Sequence, residues 1–301
     1  MSILRITIFI YGGITMKKAL LVGINEYQGS PLKGCVNDCL LMYKMLTEEF
    51  DFETKDIKLL TDHEATQDRI LLGLSALTSD VQPGDTIYFH YSGHGSQVAV
   101  NDWTDNFEPD GRDEILCPVN LNWDFPLRDQ MVGSFFKDLP KEVNVVVVLD
   151  CCHSGTGLRA PINSNLDGPK WLANRFLPPP PSKLLSNPLI RVDADMNFIL
   201  PEPTEDLRSI KRPFLVDTVE QGHVILITGC QDNQTSADAY LAGTYRGALT
   251  YCLYYVLSKR KFNMSYEKLV IEINRLLDNK RYDQNPQLEC LPEYKNRKFL
   301  G

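Results

Sequence analysis

The chain has 301 residues, 43% of them hydrophobic and 23% charged, an ordinary globular composition with enough length for one large domain or two small ones. Its formal net charge of −8 argues against a nucleic-acid partner, because an acidic surface repels phosphate backbones. No apolar run is long enough to span a bilayer, and eight cysteines without paired C-x-x-C spacings exclude a zinc ribbon and a dense disulfide scaffold.

Reduced thiols, a cytoplasmic location and no membrane partner are therefore the expectation. Residues 1–15 are read as an extension outside the core: residues 3–10 are mostly apolar, but they carry one positive charge and no small-x-small cleavage site. From residue 16 the pattern is regular. Residues 19–24 (ALLVGI) form a continuous apolar run, as a buried parallel strand does. Over residues 34–50, Val36, Leu40, Tyr43, Leu46 and Phe50 recur every three or four positions, which predicts a helix with one buried stripe. Residues 57–60 read as a short strand, and Thr66 opens a helix with Ile70, Leu74 and Leu77 on one face. Residues 86–91 (TIYFHY), 143–149 (VNVVVVL) and 224–228 (VILIT) are further strands, followed by helices over 247–259 and 265–278. Strands alternating with helices predict an α/β fold around a mostly parallel sheet. Residues 160–213 break the pattern. They hold ten of the eighteen prolines, four of them in a row, and read as an insertion between a large part (16–159) and a small part (214–301).

Ligands of open α/β sheets bind beyond the carboxyl ends of the strands. Ser92-Gly93-His94-Gly95 follows one strand, and Asp150-Cys151-Cys152-His153-Ser154-Gly155 follows another. If those strands are neighbours, an imidazole and a thiol meet at one edge, which suits a cysteine nucleophile with a histidine base. The amides of Gly95 and Cys152 are then candidates for an oxyanion hole.

These two blocks resemble the histidine and cysteine blocks of metacaspases, caspase-like peptidases. Gly34-Cys35-Val36-Asn37-Asp38, Asp110-Gly111-Arg112-Asp113-Glu114, the block from Gly229 to Asp238, and Gln284-Asn285-Pro286-Gln287 match further family segments in the same order. The short stretch before Lys17 fits the compact, prokaryotic-type form called orthocaspase. The resemblance implies a caspase-like α/β/α sandwich and a cysteine endopeptidase cutting after arginine or lysine. His94 takes the place of the base and Cys152 of the nucleophile. Cys35, Asp38, Ser92 and Asp150 match the pocket for the residue before the cut, where two carboxylates suit the donor fork of a guanidinium. Cys151 is expected to pack on the opposite face. Cys230, Asp232 and Asp238 are expected to shape the cleft without taking part in the chemistry. Self-processing at a basic residue of the insertion, with Arg208 as the suggested site, is also implied.

The chemistry itself needs no cofactor. Calcium is a candidate activator, held by Asp113 and Glu114 within an acidic loop; residues 101–129 carry eight acids against two arginines. Arg159, standing where the family has a later acidic ligand, argues against it. The expected partners are peptide or protein substrates with a basic residue before the cut, and the expected state is a monomer. The alternative is a caspase-fold scaffold that binds partners without cutting.

Overall fold

The computed structural model describes residues 15–99, 112–152, 172–184, 191–192, 198–199, 224–230, 234 and 236–301. In chain order the central elements begin with β1 (Lys17–Gly23), α1 (Cys35–Glu49), β2 (Ile57–Thr61), α2 (Gln67–Thr78) and β3 (Thr86–Ser92). A small antiparallel sheet follows, made of β4 (Gly95–Ala99), β5 (Arg112–Leu116) and β6 (Leu127–Arg128). Next come α3 (Asp129–Lys137), β7 (Asn144–Asp150), β8 (Leu172–Asn174), α4 (Pro181–Leu184) and the two-residue pair β9 (Arg191–Val192) and β10 (Phe198–Ile199). The chain closes with β11 (Val224–Thr228), β12 (Ala237–Leu241), β13 (Thr244–Gly247), α5 (Ala248–Lys259), α6 (Tyr266–Asn279) and β14 (Gln287–Glu289).

Six strands form the central sheet in the order β14-β11-β7-β3-β1-β2, all parallel except β14. Alternate residues of each strand feed two separate cores, as a period of two requires. On β7, Val146 and Val148 join the core under α1, α5 and α6, whereas Val145, Val147 and Leu149 join the one under α2 and α3. Burial on both faces is why the strand reads as an unbroken run of valines. The result is an α/β/α sandwich. No helix among the described residues is long and apolar enough to cross a membrane.

The strands and helices expected from periodicity appear within two residues of their expected ends, and the side chain of Thr66 caps α2 by accepting from the amide of Arg69. The stripe expected on α1 is displaced. The buried residues are Cys35, Asp38, Cys39, Met42, Met45 and Leu46, while Leu40 is 51% exposed. The helix turns its thiols, methionines and Asp38 inward because Asp38 belongs to a buried polar cluster. Periodicity counted on the larger apolar side chains finds part of the buried face: Leu46 and Phe50 are buried and Tyr43 packs against the core, while Leu40 points outward.

Part of the proline-rich stretch is built into the fold. β8 pairs antiparallel with β12, which also pairs with β13. Pro178–Pro180 lie outside any strand, consistent with their missing amides, and Pro181 opens α4.

Candidate active site

β3 and β7 are neighbours in parallel register, with Ser92 opposite Asp150. Each strand ends there, and two residues later come His94 and Cys152. Both are buried. Gly93 and Gly95 flank the histidine. A side chain at Gly93 would collide with the hydroxyl of Tyr27, which instead accepts the His94 amide at 3.0 Å. The Tyr27 ring lies 4.5 Å from the imidazole.

The tautomer of His94 follows from its partner. Nε2 lies 2.8 Å from the Ser30 carbonyl, which can only accept, so Nε2 carries the proton. Nδ1 is buried without a hydrogen-bond partner, and in the neutral ring it keeps its lone pair. Burial lowers the pKa of the ring, against the pull of the Ser30 carbonyl, so the neutral base form is favoured. The Cys152 sulfur receives the amide of Ser236.

The two amides expected to form an oxyanion hole converge on a single oxygen. The carbonyl of Arg175 accepts from Gly95 at 2.9 Å and from Cys152 at 3.2 Å. The amide of Arg175 donates to the Ser236 carbonyl at 3.1 Å, continuing the pairing of β8 with β12. Residues 172–177 thus cross the site as extended chain, with a peptide carbonyl held between the Gly95 and Cys152 amides.

The side chain of Arg175 fills the pocket formed by the expected residues and is fully buried. Nη1 donates to Ser92 Oγ at 2.7 Å and to the Asp150 carbonyl at 3.0 Å, and lies 3.2 Å from Asp150 Oδ1. Nη2 donates to Asp38 Oδ2 at 2.7 Å and to Asp238 Oδ1 at 3.0 Å. Cys35 lines the same pocket, where burial keeps its thiol protonated and the guanidinium is its largest opposing influence.

Three carboxylates around one guanidinium leave excess negative charge in a dry site, so the carboxylates need other donors. They have them. Asp150 accepts from Ser236 Oγ at 2.6 Å, and from the amide and hydroxyl of Thr250 at the start of α5 at 2.8 and 2.7 Å, where the helix terminus also favours an anion. Asp38 accepts from the Gly247 amide and from Ser92 Oγ, and Asp238 from the amides of Lys33 and Gly34. Burial still pushes the Asp38 carboxyl up to about 7. Gly247 has to be glycine, since a methyl there would overlap both Asp150 Oδ2 and Arg175 Nη1.

Four residues without an expected direct role also take part. Asp238 was placed among the cleft-shaping residues, yet it binds the guanidinium directly. Its signal was a carboxylate between two alanines on a buried strand, a position where a charge persists only if paired. Ser236 meets Cys152, Asp150 and Arg175, and nothing in the sequence sets it apart within the block from Gly229 to Asp238. Gln284, 5% exposed, holds Ser236 in place through Oγ at 3.0 Å, the Gly229 carbonyl at 2.7 Å and the Ala237 amide at 3.1 Å. Arg175 was one of several basic residues in the insertion and had no feature that singled it out.

Cys151 is 2% exposed and packs in the core under α2 and α3, facing away from the cleft as expected. Cys230 is only partly buried, and hydrogen bonding with Cys152 is the first cause of its raised pKa, so it sits beside the thiol rather than deep in a core. His153, Arg159, Arg208 and Asp232 lie outside the described residues. Asp113 is 4% exposed and paired with Arg128, and Glu114 follows it on β5, so the two point to opposite faces. No cluster of metal-ligating side chains occurs among the described residues.

A family model for the metacaspase, peptidase C14 domain matches residues 17–161. Metacaspase-1 of Schizosaccharomyces pombe is 30% identical over 297 residues, covering 91% of this chain and 67% of that protein. Metacaspase-1 of Scheffersomyces stipitis is 33% identical over 301 residues, covering 94% and 73%. Metacaspase-1 of Ajellomyces capsulatus is 32% identical over 297 residues, covering 94% and 82%. A solved structure of a Geobacter sulfurreducens protein shares the fold, with a TM-score of 0.62 at 23% identity over 95% of this chain and 98% of that one.

Proposed function

The chain belongs to the metacaspase family, caspase-like cysteine peptidases that act on proteins, and within it we propose an endopeptidase that cuts after arginine or lysine and processes itself at Arg175–Phe176. Cys152 is the nucleophile and His94 the base. The observation that carries this reading is the Arg175 carbonyl, which accepts from Gly95 and Cys152 while its side chain fills the carboxylate pocket. That is how a substrate sits before attack.

His94 Nδ1 takes the Cys152 thiol proton, and the sulfur attacks the Arg175 carbonyl carbon, whose oxygen becomes an anion between the two amides. The tetrahedral intermediate collapses. The bond to the Phe176 nitrogen breaks, and the imidazolium gives its proton to that amine. Water, deprotonated by the same imidazole, then attacks the thioester, releasing the Arg175 carboxylate and restoring the thiol. Two separate guanidinium nitrogens are engaged, so arginine is expected to outperform lysine, whose ammonium presents its donors from one point.

Fluorogenic peptides with Arg, Lys, Asp or Asn before the leaving group test the specificity. Turnover of Asp or Asn peptides alone overturns it, and no turnover at all favours a scaffold that binds without cutting. Intact-mass measurement of the wild type and Cys152→Ala tests self-processing. A cut after Arg175 in the wild type alone is expected, and a wild type left whole contradicts it. We further propose that calcium is not needed for the chemistry. Equal kcat/KM with and without chelator is the expected result, and loss on chelation assigns an activating cation. The monomeric state is tested by sedimentation.

A further inference from the structure

The contacts of the inserted segment continue past the bond after Arg175. Gly95 faces both sides of that bond. Its amide donates to the Arg175 carbonyl at 2.9 Å, and its own carbonyl accepts the Leu177 amide at 2.9 Å, with Phe176 as its parallel bridge partner. One residue further along β4, the hydroxyl of Ser96 donates to the Leu177 carbonyl at 2.6 Å. Ser96 is fully buried, so this donor is committed to the site. The Leu177 side chain packs against the core under α2 and α3. The pairing then stops, because Pro178–Pro181 have no amides to donate.

We propose that Gly95, Ser96 and the apolar surface behind them form a second peptide-binding subsite, which takes an apolar residue at the second position after the cut. The inference rests on the proposed cleavage after arginine and extends it to the other side of the bond. The residues before the cut are gripped by β12 and the carboxylate pocket, and those after it by β4. Gly95 serves both halves. A substrate reaching both is held with its scissile bond fixed between them, and its departing amine is tethered through the residue that follows. Because these contacts form in the ground state, their loss is expected mainly in KM.

The test compares internally quenched peptides of sequence Leu-Ala-Asn-Arg-Phe-Leu-Pro-Pro, with leucine or aspartate at the sixth position. The unaltered full-length protein cleaves both. The aspartate peptide is expected to lose about tenfold in kcat/KM, mostly through KM. Values within about twofold of each other overturn the subsite. Ser96→Ala is expected to lower the kcat/KM ratio of the leucine peptide to Leu-Ala-Asn-Arg-aminocoumarin, which ends at the bond, about fivefold. An unchanged ratio counts against the assignment of Ser96. If no arginyl substrate is cleaved, the proposed specificity fails and takes this inference with it, a result distinct from equal cleavage of the two octapeptides.

Discussion

Ser92 and Asp150 face each other across the parallel β3–β7 pair, and both contact the same guanidinium nitrogen of Arg175. One strand register therefore sets two things together. It places the pocket at the last residues of the two strands, and it places His94 and Cys152 two residues beyond them, on the carbonyl side of the arginine that fills that pocket.

The carboxylates are expected to contribute unequally. Asp238→Asn leaves one acceptor oxygen, which can serve either the Lys33 amide or the Gly34 amide with Nη2, where the carboxylate serves all three. Asp150→Asn disturbs Arg175, Ser236 and Thr250 together. Removing one partner of a buried charged pair costs several kcal/mol, so kcat/KM for arginyl peptides should fall about a hundredfold in Asp238→Asn and further in Asp150→Asn. Steady-state kinetics of the two variants decide the order, and an Asp150→Asn enzyme as active as wild type would contradict the pocket.

Arg175 balances its pocket as well as occupying it. Arg175→Ala leaves three buried carboxylates without a cation, a change in the range of about 3–5 kcal/mol for such pairs. The thermal midpoint should fall, and an added arginyl ligand should restore part of it by mass action. The same variant should stay whole at position 175 and cleave added arginyl peptides without a lag. Scanning fluorimetry and progress curves measure both effects.

Two groups should shape the acid side of the pH profile. Asp38 binds the guanidinium as a carboxylate, and its pKa is raised to about 7, so affinity for arginyl substrates is present above that value and lost as pH falls through it. His94 acts as the neutral ring, and burial lowers its pKa below the usual 6.5, so kcat should hold until the pH drops beneath 6.5. KM is therefore expected to rise before kcat falls. Asp38→Asn should remove the upper transition and leave the lower one.

Gln284 acts through Ser236. Gln284→Ala releases the Ser236 hydroxyl and the Ala237 amide, loosening the residue whose amide meets the Cys152 sulfur and whose carbonyl holds the Arg175 amide. A drop of about tenfold in kcat/KM is expected from a lost buried hydrogen bond, with kcat and KM both moving. The alkylation rate of Cys152 should change as well, a readout that a purely structural role would leave alone.

Much of this was legible in the sequence. The run VNVVVVL could only be a strand buried on both faces, and a histidine between glycines beyond one strand and a cysteine beyond another marked the edge where chemistry belongs. The α1 stripe is displaced because its inward face also carries small thiols and an aspartate, which an apolar count undervalues. Asp238, Ser236 and Gln284 lie in blocks that resemble family segments, but their individual contacts depend on what lies across the cleft, far away in the chain. By itself the sequence indicated the layered α/β fold and the histidine–cysteine edge, and its family resemblance implied an acidic pocket suited to a cation. Only the tertiary structure decided which cation fills that pocket. Several basic residues of the insertion carry the same charge, and Arg175 is distinguished by β8 pairing with β12, which delivers its backbone carbonyl to two amides and its side chain to three carboxylates at once.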